Sequence, residues 1–282
     1  MSVIILQGPR LYDSDATAIA VRLGGTLQST SSHWRITTPH PMTNEQLAAL
    51  RATARFDINR LPDVFDPNNV RLLVTDMDST FINIECIDEI ADFASLKAQV
   101  AAITQASMRG DLRFEESLTR RTQLLAGLDE AVLEKVYNER LQLNAGGETM
   151  LAGLKQNGIR IGLVSGGFTF FTERLKQRYQ LDYTLANVLD IVDGKLTGTV
   201  IGAIVGAEAK ADFLLKVCNE LRIQPNQAVA VGDGANDLPM MRQAGLSIAF
   251  HAKPKVQEQA DVIINYCGLE GVLGILDIPV PT

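Results

Sequence analysis

Two aspartates one residue apart, Asp76 and Asp78, close the short apolar run Leu72-Leu73-Val74. Such a run reads as a strand buried on both faces, and its carboxyl end is where open α/β sheets bind ligands. Ser165-Gly166-Gly167 follows a second apolar run, Ile159–Val164, and Gly232-Asp-Gly-Ala-Asn-Asp237 ends a third, Ala228–Gly232. Lys210 opens the helix before that third run. In a parallel sheet these loops emerge at one edge, where together they supply what phosphoryl transfer from an ester needs. A carboxylate can attack phosphorus and form an aspartyl-phosphate, and further carboxylates can hold Mg²⁺, a hard cation that takes oxygen ligands. Ser165 and the N–H groups of Gly166 and Gly167 can receive phosphate oxygens at a helix N-terminus, with Lys210 balancing charge.

Singly, each motif has an ordinary reading. Asp and Ser favour turns, two glycines make a loop, and a lone lysine is a solvated helix residue. Gly232-Asp-Gly also lacks the third glycine of a dinucleotide loop. Their joint order, each loop after a buried strand, is what makes the set specific.

The elements that must position these residues form an α/β chain with a Rossmann-like parallel-sheet core. Between the first core strand and the rest, residues 85–143 carry helical patterns at about 84–94, 97–109, 114–126 and 129–141, the look of an inserted cap. The α/β rhythm resumes with a helix over Met150–Gly158, the strand Ile159–Val164, and a helix opened by Ser165-Gly-Gly167. A hairpin is expected around Asp193-Gly194, then a helix at 209–221, strands at 228–232, 246–250 and 261–264, and a terminal helix. Ahead of the core, strands at 3–8, 25–30, 33–38 and 56–61 alternate with helices at 14–23, capped by Ser14-Asp15, and 44–54, opened by Thr43 and Glu45. That β-α-β-β-α-β order predicts a small ferredoxin-like α+β domain, joined through Pro62–Asn69. The expected division is 1–65 for the small domain, 66–84 and 144–282 for the core, and 85–143 for the cap. Because every motif follows the linker, removal of residues 1–65 is expected to leave the core folded and active.

Of 282 residues, 46% are hydrophobic and 21% charged, an ordinary soluble composition. A formal net charge of −7 argues against nucleic-acid or anionic-membrane partners. The start, Met-Ser-Val-Ile-Ile-Leu-Gln, reads as no signal peptide, and no apolar run reaches membrane-spanning length. Cys86, Cys218 and Cys267 are far apart and odd in number, which fits reduced core thiols in a cytoplasmic protein. The histidines His33, His40 and His251 show no ligand clustering. A homodimer is compatible with all of this.

The motifs Asp76-Met-Asp-Ser-Thr, Ser165-Gly-Gly-Phe, Lys210 and Gly232-Asp-Gly-Ala-Asn-Asp resemble, in order, those of the haloacid dehalogenase-like phosphohydrolases, over about residues 70–276. The resemblance implies Asp76 as nucleophile and Asp78 as general acid, then base. It implies Mg²⁺ on Asp76, the backbone carbonyl of Asp78, and Asp233, with Asp237 steadying the site. Ser165, Gly166, Gly167 and Lys210 would bind phosphate, with Asn236 at its edge. The implied small-molecule substrate is O-phosphoserine, in the last step of serine synthesis: Glu85 would meet its ammonium and Arg121 its carboxylate, with Met108 and Phe114 lining the pocket. An Arg fork suits a carboxylate. A serine alkoxide leaves poorly, so an acid beside it should speed departure. The related P-type ATPases place Thr where Asp78 stands, which suits a lasting phosphoenzyme, whereas Asp favours turnover. The N-terminal order is similar to ACT-type small-molecule-sensing domains. Two other functions stay open at this point: phosphotransfer to another small alcohol such as homoserine, and amino-acid sensing with a vestigial enzyme domain.

Overall fold

The computed structural model of the chain describes residues 2–30, 32–108 and 111–281, the side chain of Met108 excepted. Strands β1 (Ser2–Gln7), β2 (Thr26–Ser29), β3 (Trp34–Thr38) and β4 (Asp57–Arg60) form an antiparallel sheet in the order β2-β3-β1-β4. Helices Asp13–Leu23 and Asn44–Arg51 cover one face, burying Ile4, Leu6, Ala16, Leu47 and Ile58 among others. The first helix starts one residue ahead of the expected Ser14-Asp15 cap. Asp15 instead reaches back to the Tyr12 N–H at 3.2 Å, a position from which a carboxylate also favours the helix dipole. Thr43 and Gln46 form a reciprocal capping box at the second.

The second sheet holds seven strands: β5 (Leu72–Asp76), β6 (Arg160–Phe168), β7 (Tyr183–Val192), β8 (Lys195–Ile201), β9 (Ala228–Gly232), β10 (Leu246–Phe250) and β11 (Val262–Ile264). Their order is β11-β10-β9-β5-β6-β7-β8, parallel except for the β7–β8 hairpin. Asp193 and Gly194 turn that hairpin with positive φ at both positions, as tight hairpin turns require. Along β5, Leu73 packs into one core cluster and Leu72 and Val74 into the other, so the strand is buried on both faces. From β5 the sheet grows to β6 on one side and to β9 on the other. This switch point opens a crevice beyond the end of β5, where Asp76 stands.

Helices Cys86–Phe93, Lys97–Met108, Phe114–Gln123 and Ala131–Glu139 lie between β5 and β6 in sequence. Their chain enters and leaves through a paired neck: Asn83 N–H bonds Gln142 O at 3.0 Å, and the Asn144 amide donates to Thr80 O at 2.8 Å and Ile82 O at 3.1 Å. The far end is fastened to the hairpin by Gly127 N–H to Leu196 O and Glu130 N–H to Gly194 O, at 2.8 and 2.9 Å.

One expected element differs. Ser165-Gly-Gly167 does not open a helix; β6 runs through it to Phe168, with a register shift against β7, and the helix begins at Thr169. The bulged Gly166 carbonyl finds its partner in the Asn187 amide of β7 at 2.8 Å.

Candidate active site

Lys210, in the first turn of helix Ala207–Leu221, is fully buried and donates to Asp76 Oδ1 at 2.5 Å and Asp237 Oδ1 at 2.7 Å. The other Asp237 oxygen accepts the Gly234 N–H at 3.0 Å. Carboxylate oxygens of Asp76, Asp233 and Asp237 lie within 4.8 Å of one another, and Thr80 Oγ1 donates to Asp233 Oδ1 at 3.2 Å. Three acids thus surround one ammonium. Burial, then Asp237, raises the Asp76 carboxyl well above its ordinary range, and burial, then Asp237, raises Asp233. Burial opposes the Lys210 charge, but Asp237 and Asp76 outweigh it and hold the ammonium above its usual value. Burial is the larger cause of both raised carboxyls, and the surplus of negative charge adds to it. A hard divalent cation fits this oxygen set and would relieve the surplus; Asp237, with both oxygens engaged, is better placed to steady the site than to ligate.

Asp78 faces the cavity from the turn Met77–Phe81. Its Oδ1 accepts the Cys86 N–H at 2.8 Å and its Oδ2 the Ser165 hydroxyl at 3.1 Å. Burial raises this carboxyl, against those hydrogen bonds. Ser165 Oγ in turn accepts the Gly167 N–H at 2.8 Å. Any ligand oxygen that took the Ser165 hydroxyl would have to replace Asp78 as its acceptor. Side chains crowd both glycines: a Cβ on Gly166 would lie 2.6 Å from Phe114 Cζ, and one on Gly167 2.7 Å from Asp78 Oδ2, so either addition would displace a residue of the cavity wall.

These groups open into a cavity of about 590 Å³ between the β-strand ends and the helical block. Of the residues singled out from the sequence, Asp76, Asp78, Glu85, Phe114, Arg121, Ser165, Gly166, Gly167, Asp233 and Asn236 line it. Lys210 and Asp237 stand behind Asp76 rather than on the wall. The Met108 side chain lies outside the described residues. Water reaches Glu85 from the cavity, yet its carboxyl is raised to about 7, first by the enclosing protein and then by the Asp78 charge. Burial lowers Arg121, while Asp88, Glu85 and Asp78 favour its charge.

Asp88, Ser117 and Lys253 also line the cavity and were not expected there. Asp88 follows Glu85 by three residues and Ser117 precedes Arg121 by four, so helical spacing could have found both. Asp88 Oδ1 and Ser117 Oγ are buried without a hydrogen-bond partner among the described residues. Such orphans facing a cavity suit a polar ligand.

Residues 70–245 match the family described as haloacid dehalogenase-like hydrolase. A phosphoserine phosphatase of Polaromonas sp. is 51% identical over 214 residues, covering 74% of this chain and 91% of its own. A haloacid dehalogenase family hydrolase from Salmonella enterica serovar Typhi superposes with a TM-score of 0.90 at 36% identity, covering 98% of this chain and 99% of its own. The unliganded probable phosphoserine phosphatase of Vibrio cholerae does so with 0.83 at 38% identity, covering 98% and 86%. The chain belongs to the haloacid dehalogenase-like hydrolases. No helix among the described residues is long and apolar enough to cross a membrane.

Proposed function

We propose that this chain is a phosphoserine phosphatase, hydrolysing O-phosphoserine to serine and phosphate as the last step of serine synthesis. The observation that carries this is one cavity with two chemistries on its walls: Asp76, Asp78, Ser165 and Asp233 at the strand ends, and the opposite charges of Glu85 and Arg121. The relatives named phosphoserine phosphatase support the same substrate.

Asp76 is assigned as the nucleophile: its carboxylate attacks phosphorus, and the bond to the seryl oxygen breaks. Asp78 is assigned as the acid, giving that oxygen its proton, and then as the base that takes a proton from the water hydrolysing the aspartyl-phosphate. Its raised carboxyl suits the first role. Ser165 hydroxyl and the β6 bulge are assigned to the phosphate oxygens. Lys210 holds Asp76 from behind and offsets charge. Asp76, Asp233 and the Asp78 carbonyl would hold Mg²⁺, which when bound supplies charge neutralisation at the phosphoryl group. Glu85 and Arg121 are assigned to the substrate's ammonium and carboxylate, with Phe114 on the wall and Asn236 at the phosphate edge. This reading divides the chain into a small α+β unit at 1–65, a core at 66–84 and 144–282, and a cap at 85–143. Buried, unpaired thiols at Cys86, Cys218 and Cys267 suit the cytoplasm.

Phosphate release from a panel of phosphorylated metabolites tests the proposal. The highest kcat/KM is expected for O-phosphoserine; a preference for sugar phosphates or nucleotides would overturn the substrate.

A further inference from the structure

We propose that Ser79 is a positioning residue for amino-acid recognition: its hydroxyl fixes the Glu85 carboxylate so that one oxygen stays turned to the substrate ammonium. This rests on the assignment of Glu85 above. Ser79 Oγ donates to Glu85 Oε1 at 2.8 Å, a charge-assisted bond that leaves Oε2 without a hydrogen-bond partner among the described residues. Glu85 itself precedes helix Cys86–Phe93, and among the described residues no other hydrogen bond holds its side chain. Without Ser79, no hydrogen bond among the described residues would fix the orientation of its carboxylate.

The backbone shows how firmly the hydroxyl is aimed. Ser79 has φ 58° and ψ −2°, a left-handed conformation that a non-glycine residue adopts at a cost. Two backbone contacts hold it there. Its N–H bonds Ile84 O at 3.1 Å, closing the loop that leads to Glu85, and Asn144 Nδ2 reaches Ser79 O at 3.4 Å from the returning segment of the neck. Glycine would take this φ freely, so the serine is present for its side chain rather than for its backbone. One residue along, Asp78 belongs to the reaction, while the next side chain turns away to the selectivity carboxylate. The catalytic turn thereby sets the distance between the phosphoryl end and the amine end of the substrate.

The test compares Ser79→Gly and Ser79→Ala with wild type on O-phosphoserine and on p-nitrophenyl phosphate, which has no amine. Ser79→Gly removes the hydroxyl and relieves the backbone, so its melting temperature is expected to hold or rise. Both variants are expected to lose about tenfold in kcat/KM for O-phosphoserine and less than about twofold for the generic ester. In a Glu85→Gln background the Ser79→Ala loss is expected to shrink, because the two residues act through one contact. An unchanged ratio of the two substrates in Ser79→Gly, or full additivity with Glu85→Gln, would overturn the role of Ser79. A wild-type enzyme with no preference for O-phosphoserine would instead remove the substrate assignment on which it rests.

Discussion

The carboxamide of Asn59, on the small sheet, pairs with the peptide group of Ile263 on the last strand of the large one. Nδ2 donates to Ile263 O at 2.8 Å and Ile263 N–H donates to Oδ1 at 2.9 Å. One side chain thus completes the open edge of β11 as a further strand would. Beside it the Asp57 carboxylate accepts the N–H groups of Asn265, Tyr266 and Cys267, at 2.7 to 3.2 Å. Ile5, on the face of β1 opposite Ile4 and Leu6, packs into the core shared with Leu273 and Ile275.

This seam changes what truncation should do. The position of the motifs after the linker suggests a detachable N-terminal unit. The seam instead makes removal of residues 1–65 strip β11 of its cover and leave at least five peptide groups unpaired. The truncated chain is expected to lose solubility or melt well below the full chain, and Asn59→Leu alone to cost about 1–3 kcal/mol. Urea denaturation of the point variant and solubility of the truncation check this. A soluble truncation with wild-type melting would show the seam to be dispensable.

Asp76→Asn is expected to abolish turnover, by roughly 10⁴-fold or more, since an amide cannot attack phosphorus. Its melting temperature should stay close to wild type, because Lys210 keeps Asp237 and one of three crowded carboxylates is gone. Steady-state hydrolysis near the wild-type rate by a verified variant would sink the nucleophile assignment.

Chelation with EDTA is expected to end activity and added Mg²⁺ to restore it. Mg²⁺ should also raise the melting temperature, since it would neutralise acids that the fold crowds together at Asp76 and Asp233. Undiminished hydrolysis in excess chelator removes the metal from the site.

How much of this was legible depends on how local each cause is. Asp76, Asp78, Ser165 and Asp233 each end an apolar run, so period and punctuation sufficed to place them at one sheet edge. The fate of Ser165-Gly-Gly was not local: the strand continues because Asn187, on the neighbouring strand, takes the Gly166 carbonyl and the Val205 N–H at 2.8 Å each. Lys210 was recognisable as a cation, but its burial behind Asp76 depends on how helix Ala207–Leu221 packs. The Asn59 pair joins residues 204 apart in sequence and leaves no trace in either segment's pattern.

His33 gives a pH dependence at the same seam. Burial first, then Arg35, lowers its pKa below 6.5, with Asp277 opposing. The unfolded chain therefore binds this proton more readily than the folded one. Stability is expected to fall as pH drops from about 6.5 through the lowered folded value, and the contribution then levels off. Raised carboxyls such as Asp57 act in the opposite sense at lower pH. The informative quantity is thus the difference between wild type and His33→Asn, which should shrink from pH 7.5 to 5. A constant difference would contradict it.

In the proposed reading substrate choice would rest on Glu85 and Arg121, which carry opposite charges on the wall of one cavity. An amino acid presents an ammonium and a carboxylate, so removing either partner leaves one substrate charge unpaired, an effect of about 2–5 kcal/mol at buried pairs. Arg121→Ala is expected to cost O-phosphoserine hydrolysis heavily and p-nitrophenyl phosphate hydrolysis little. Arg121→Lys should recover only part, because an ammonium lacks the planar fork. For Glu85 the pH adds a second reading. With its carboxyl raised to about 7, the free enzyme holds it partly protonated near neutrality, and kcat/KM for O-phosphoserine should rise from pH 6 to 8. That rise should be weaker for p-nitrophenyl phosphate and absent from the ratio of the two substrates in Glu85→Gln. If both activities fall in parallel in the Arg121 and Glu85 variants, these residues serve the fold, and selectivity must come from elsewhere on the cavity wall.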